Sequence, residues 1–107
     1  MGAARSINAE TFEKEVVGGD LPAVLDFTAT WCGPCQALAP SIEEFATEYE
    51  GRVLIGKVDI DENPELTTKL NVASVPTVLF FKNGEKVDQL VGAQPRQAIE
   101  KMVEQHL

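Results

Sequence analysis

Apolar and polar positions along the chain alternate between a helical period and that of buried strands. Asn8 can cap a short helix in which Ala9, Phe12 and Val16 share a face, and Gly18-Gly19-Asp20 ends it. Leu21 to Ala29 then reads as a strand. Its run Ala23-Val24-Leu25-Asp26-Phe27 is too apolar for one wet face, which predicts a strand covered on both sides, with Asp26 the exception inside it. From Cys35 to Tyr49, Leu38, Ala39, Ile42, Phe45, Ala46 and Tyr49 recur at helical spacing, while Glu43, Glu44, Thr47, Glu48 and Glu50 lie on the other side. Pro40 should kink this long amphipathic helix, and Gly51 closes it.

Val53 to Ile60 is a second largely apolar strand. Asn63-Pro64-Glu65 then opens a short helix, with Asn63 as capping side chain and proline in the first turn, and Asn71 ends it. Thr77 to Phe81 and Lys86 to Val91 flank Asn83-Gly84, the strongest tight-turn signal in the chain, and should pair as an antiparallel hairpin. A closing helix starts near Gln94-Pro95 and puts Ala98, Ile99, Met102 and Val103 on one face. With an edge strand near Ile7, the order of elements predicts an α/β fold: a mixed sheet with helices on both faces.

The length of 107 residues, with 44% hydrophobic and 24% charged residues, fits one domain spanning 1–107. Folding at this size buries roughly 65% of the unfolded surface, enough for a core without disulfide staples or a structural metal. Nine Lys and Arg against seventeen Asp and Glu give a net charge of −8, which disfavours nucleic acid and anionic membranes as partners. The apolar runs are far shorter than the roughly 20 residues of a membrane helix. The first residues carry no secretory signal pattern, so the expected compartment is the cytoplasm.

Two cysteines two residues apart cannot build a disulfide framework, and their proximity points to chemistry. Trp31-Cys32-Gly33-Pro34-Cys35 falls between the buried strand and the long helix. There Cys32 meets unpaired backbone N–H groups and the positive end of the helix dipole, which favour a thiolate. Residues three apart in a helical turn point the same way at a spacing a disulfide can bridge, so the pair can cycle. Cys32 is expected to be the exposed nucleophile, and Cys35, one turn in, the buried resolving thiol. Two blander readings remain beside this one: half of a zinc site, for which the chain adds only His106 as a further His or Cys ligand, or a pair of inert buried thiols.

Asp26, Ala29, Trp31-Cys32-Gly33-Pro34-Cys35, Pro40, Lys57, Val75-Pro76-Thr77, Phe81-Lys82-Asn83-Gly84 and Gly92 stand in an order and spacing that resemble the thioredoxin family over nearly the whole chain from about residue 7. The resemblance implies the thioredoxin fold and a thiol–disulfide oxidoreductase that reduces disulfides in client proteins through a mixed-disulfide intermediate. Gly-Pro between the cysteines argues for a reductant over an oxidase or isomerase. A binding module with incidental cysteines is the alternative from another class.

By the same resemblance, Asp26 lies beneath the cysteines and exchanges a proton with Cys35, while Lys57 on the neighbouring strand tempers it. A plain buried Asp26–Lys57 pair is the packing alternative. The Val75-Pro76 bond is expected to be cis and to face the cysteines, leaving backbone groups of Val75 for an added substrate strand. Trp31, Gly33, Pro34, Ala73, Ser74, Val75, Pro76, Gly92 and Ala93 should form a flat apolar rim for docking client proteins. The family further implies a monomer with no bound cofactor or metal beyond the redox-active disulfide. It is recharged by a thioredoxin reductase as electron donor and serves disulfide-containing clients such as reductases and peroxidases. Two positions depart from the family pattern. Thr28 stands where many bacterial members carry a second tryptophan, and Gln36 replaces the usual Lys or Arg after the second cysteine.

Overall fold

A computed structural model describes residues 3–107. A five-stranded sheet runs in the order β1-β3-β2-β4-β5, with β1 Arg5–Ser6, β2 Ala23–Thr28, β3 Leu54–Asp59, β4 Thr77–Lys82 and β5 Glu85–Val91. β1, β3 and β2 are parallel, whereas β4 pairs antiparallel with both β2 and β5, so the sheet is mixed as the element order predicts. β1 is the edge strand expected near Ile7, and the Ile7 N–H extends its pairing by donating to the Lys57 carbonyl at 2.9 Å.

Both faces of β2 are covered because its side chains alternate between two cores. Val24 joins Ile55, Val78 and Phe80 beneath the helices α2 (Gly33–Glu48) and α4 (Arg96–His106), through Ile42, Phe45, Ile99 and Met102. Leu25 and Phe27 join Val58, Leu79 and Phe81 on the other face, covered by Phe12 and Val16 and by Leu66 of α3 (Pro64–Lys69). This is why the sequence of β2 shows no period of two: every inward position on either face is apolar except Asp26.

Gly56 sits on β3 between β1 and β2, paired with Arg5 and Leu25. A Cβ there would lie 2.7 Å from Ile7 Cγ1 and 2.9 Å from Leu25 Cδ2, so only hydrogen fits without repacking. In the hairpin, Asn83 at φ 55° and Gly84 at φ 79° take the left-handed conformations that a two-residue turn needs.

Two local expectations are corrected. The first helix is not one regular α-helix: α1 (Ala9–Thr11) passes into a π-helical segment, Phe12–Val17, whose wider turn closes with Gly18 N–H donating to the Glu13 carbonyl at 2.9 Å. Ala9 is exposed while Phe12 and Val16 are buried, so the face expected to be shared by all three holds only for the last two. The long helix starts at Gly33 with Cys32 as its cap, so Cys35 stands in its first turn as expected, and it runs to Glu48 with Pro40 inside it. The Asn63 side chain does not cap α3; its Nδ2 instead donates to the Asp59 carbonyl at 3.0 Å.

Candidate active site

The site forms where β2 ends and α2 begins. Cys32 occupies the cap position in extended conformation, and its Sγ accepts the Cys35 N–H at 3.2 Å. The sulfur thus takes one of the orphan donors of the first helical turn, at the positive end of the macrodipole. Cys32 and Cys35 are joined as a disulfide with their Cα atoms 5.2 Å apart. Cys35 is fully buried, and Cys32, in this oxidised state, is 6% exposed. Both cysteines are thus buried while the bond is closed, and the exposed Cys32 expected from the sequence is not what this oxidised state contains. Ala29 lies in the same small cluster, with Ile60 and Val75 packed against it.

The Val75-Pro76 bond is cis, and Val75 reaches the cysteine cluster. Pro76 is buried, and its carbonyl accepts the Gly92 N–H at 2.8 Å, tying the two loops together. Trp31 is 67% exposed, so it is no core anchor, and its Nε1 donates to Asp61 Oδ2 at 2.8 Å.

The expected flat rim is divided between two grooves. One, of about 320 Å3, gathers Trp31, Ala73, Ser74 and Val75 with Ile60, Thr67 and Val72. The other, of about 360 Å3, gathers Pro34 and Ala93 with Ala37, Leu38, Ser41, Gln94 and Arg96. Gly33 is exposed and Gly92 half-buried, and neither lines these grooves. Sequence reasoning missed Ile60, Thr67 and Val72. The available signal was that apolar Ile60 and Val72 stand just beyond the ends of β3 and α3, where chain reversals bring them to the same rim as Trp31.

Asp26, inside β2, is 3% exposed, and its Oδ1 has no hydrogen-bond partner among the described residues. Burial pushes its carboxyl up to about 7, against an opposing pull from the Lys57 charge. Lys57 is the β3 residue in register with Asp26, yet no ion pair joins the two among the described residues. The ammonium is half-exposed and binds Glu43 Oε2 of α2 at 3.2 Å. The packing alternative of a closed buried pair is therefore not what the structure contains. Glu43, placed by the sequence on the polar side of the helix, was missed. Gln36, Ala39 and Glu43 lie at i, i+3 and i+7, a spacing that puts all three on the stripe facing β2 and β3.

With Thr28 and Ile42, these residues enclose a cavity of about 180 Å3 that opens beside Asp26. The two departures thus meet in one place. Gln36 also donates from Nε2 to the Ala29 carbonyl at 2.9 Å, so it braces the loop before Cys32 rather than supplying charge. No group of three or more His, Cys, Asp or Glu side chains among the described residues is arranged to hold a metal ion.

A sheet of this topology carrying a bridged Cys-Gly-Pro-Cys pair at a helix tip defines a redox domain. The thioredoxin family model matches residues 3–105. Thioredoxin 1 of Nostoc sp. (strain PCC 7120) is 43% identical over 107 residues, covering 100% of both chains. Thioredoxin 2 of Chlorobaculum tepidum is 44% identical over 98 residues, which is 92% of this chain and 90% of the relative. The chloroplastic M-type thioredoxin of Pisum sativum is 43% identical over 101 residues, 94% of this chain and 59% of that protein. The chain belongs to the thioredoxin family. It is a thiol–disulfide oxidoreductase, a protein-disulfide reductase whose redox centre is the Cys32–Cys35 pair.

Proposed function

We propose that the chain, as one domain over residues 1–107, reduces disulfides of client proteins with Cys32 as nucleophile and Cys35 as resolving thiol. The Cys32 thiolate attacks one sulfur of the client disulfide, forming an intermolecular S–S bond and releasing the other client sulfur as a thiolate. Cys35, deprotonated with help from Asp26 by way of water in the adjoining cavity, then attacks Cys32, closes the internal disulfide and frees the second client thiol. Lys57 tempers the Asp26 charge. The observation that carries this reading is the Cys35 N–H directed at Cys32 Sγ, because it favours charge on the outer sulfur while the inner one is shielded.

Trp31, Ala73, Ser74 and Val75 on one side and Pro34 and Ala93 on the other receive the client chain. Val75, beside the cis bond to Pro76, offers backbone groups to an extended segment, and Gly33 and Gly92 leave room for its approach. The electron donor is a thioredoxin reductase, and the clients are disulfide-containing enzymes such as reductases and peroxidases. The protein works as a cytoplasmic monomer, and its electron-transfer chemistry needs no cofactor beyond the cysteine pair. No helix among the described residues is long and apolar enough to cross a membrane, and the charge of −8 supports a partner set without nucleic acid.

Insulin reduction tests the assignment. With dithiothreitol as donor, the protein should bring on turbidity well before dithiothreitol alone. No acceleration would leave only a binding module of the same fold.

A further inference from the structure

The Asp26 cavity contains an arrangement that client reduction does not by itself require. Lys57 stands in register with Asp26 on the next strand, yet its ammonium turns to Glu43 on the helix above. Glu43 is fixed for this: Oε1 accepts the Ala4 N–H at 3.0 Å while Oε2 holds Lys57 at 3.2 Å. The Ala4 N–H donation, together with the Lys57 contact, holds the Glu43 carboxyl below its usual range, so it is an anion under working conditions. Three charge-bearing groups from three elements thus share one cavity, Asp26 from β2, Lys57 from β3 and Glu43 from α2, with uncharged Gln36 also from α2. β4 sets only Val78 opposite Asp26.

We propose that Glu43 is a positioning residue that holds Lys57 away from Asp26 and so governs when the buried carboxyl gives up its proton. Were Lys57 released, the unpartnered Asp26 Oδ1 in the same cavity is a buried acceptor it could take, and pairing would fix Asp26 as an anion. The strap of Ala4, Glu43 and Lys57 keeps that cation half-exposed at the cavity, close enough to act on Asp26 through space without neutralising it. This inference rests on the proposed proton exchange at Asp26 for its functional meaning, but not for its test.

The test follows the Asp26 carboxyl by carbon-13 NMR across pH in the oxidised protein and in three variants: Glu43→Gln, Lys57→Met and the double variant. Glutamine keeps the oxygen that accepts the Ala4 N–H, and thermal melts check that each variant folds. Glu43→Gln should lower the Asp26 midpoint by about half a pH unit or more, about a threefold change in its ionisation constant. Lys57→Met should raise the midpoint, and adding Glu43→Gln to Lys57→Met should then change little, because the glutamate acts by way of the lysine. An unmoved midpoint in Glu43→Gln, or an equal drop with and without Lys57, overturns the proposal. If the midpoint moves as expected while the pH profile of client reduction stays put, the positioning role stands and the proton role of Asp26 is what fails.

Discussion

Cys35→Ser should convert the protein from a turnover catalyst into a trap. Cys32 retains its place at the tip of α2, so the first exchange proceeds and the client becomes bonded to Cys32. The second exchange then has no internal thiol. Cys35 is fully buried with its Cα 5.2 Å from that of Cys32, so in the parent protein the resolving sulfur is held within reach of the bond it must break. Replacing such an intramolecular attack by a millimolar external thiol should slow turnover by about a thousandfold or more. Incubation with disulfide-bonded clients should build up one-to-one adducts on non-reducing gels that dithiothreitol releases, and Cys32→Ser should form none. Adducts accumulating on Cys32→Ser instead, or turnover by Cys35→Ser near that of the parent, would reverse the assigned roles.

Asp26→Asn should make the protein more stable and a slower reductant, by an amount that depends on pH. The folded carboxyl titrates at about 7 against an ordinary value of 3.8, because burial disfavours the anion more than Lys57 favours it. Below the ordinary value the carboxyl is protonated in both folded and unfolded chains and costs nothing extra. Between the two values the folded state holds the proton that the unfolded state releases, so stability falls as pH rises and levels off above about 7. A displacement of this size is worth about 4 kcal/mol at most, since 1.36 kcal/mol accompanies each unit. The amide brings its own unmet hydrogen bonds into the same site, so the expected gain is about 2–3 kcal/mol at pH 8 and close to nil at pH 4. Urea unfolding of parent and variant, both oxidised, at the two pH values gives the difference directly. A gain of equal size at both would assign the effect to packing rather than to charge. In the same variant, reduction of a protein disulfide should slow near neutral pH because Cys35 has lost its proton acceptor.

How much of this was legible in the sequence depended on what each residue needs from the rest of the molecule. Strand β2 announced its burial because both of its faces must be apolar, and Asp26 stood out against that background. The Asn83-Gly84 turn was legible because positive φ at consecutive positions narrows the choice of residue. The cysteine motif carried its own chemistry and family. What could not be read was anything decided by the meeting of distant segments. Phe12–Val17 has an ordinary helical pattern, and only the packed structure widens it into a π-turn. The resemblance set Lys57 against Asp26, whereas the helix above supplies Glu43 as its ion-pair partner, itself oriented by Ala4, 39 residues away. The expected rim residues Trp31, Ala73, Ser74 and Val75 share one groove with Ile60 and Val72, which come from connections with no distinctive motif and so were not legible as part of it.

The central claim is that one sulfur is held ionised at a helix tip while its neighbour is kept neutral and shielded. Alkylation of the fully reduced protein by iodoacetamide, followed across pH with each cysteine resolved by peptide mass, tests this most directly. Cys32 should react far faster than Cys35, with a rate midpoint below the roughly 8.5 of an ordinary cysteine thiol. Equal labelling of the two, at the pace and midpoint of a free thiol, would contradict the account.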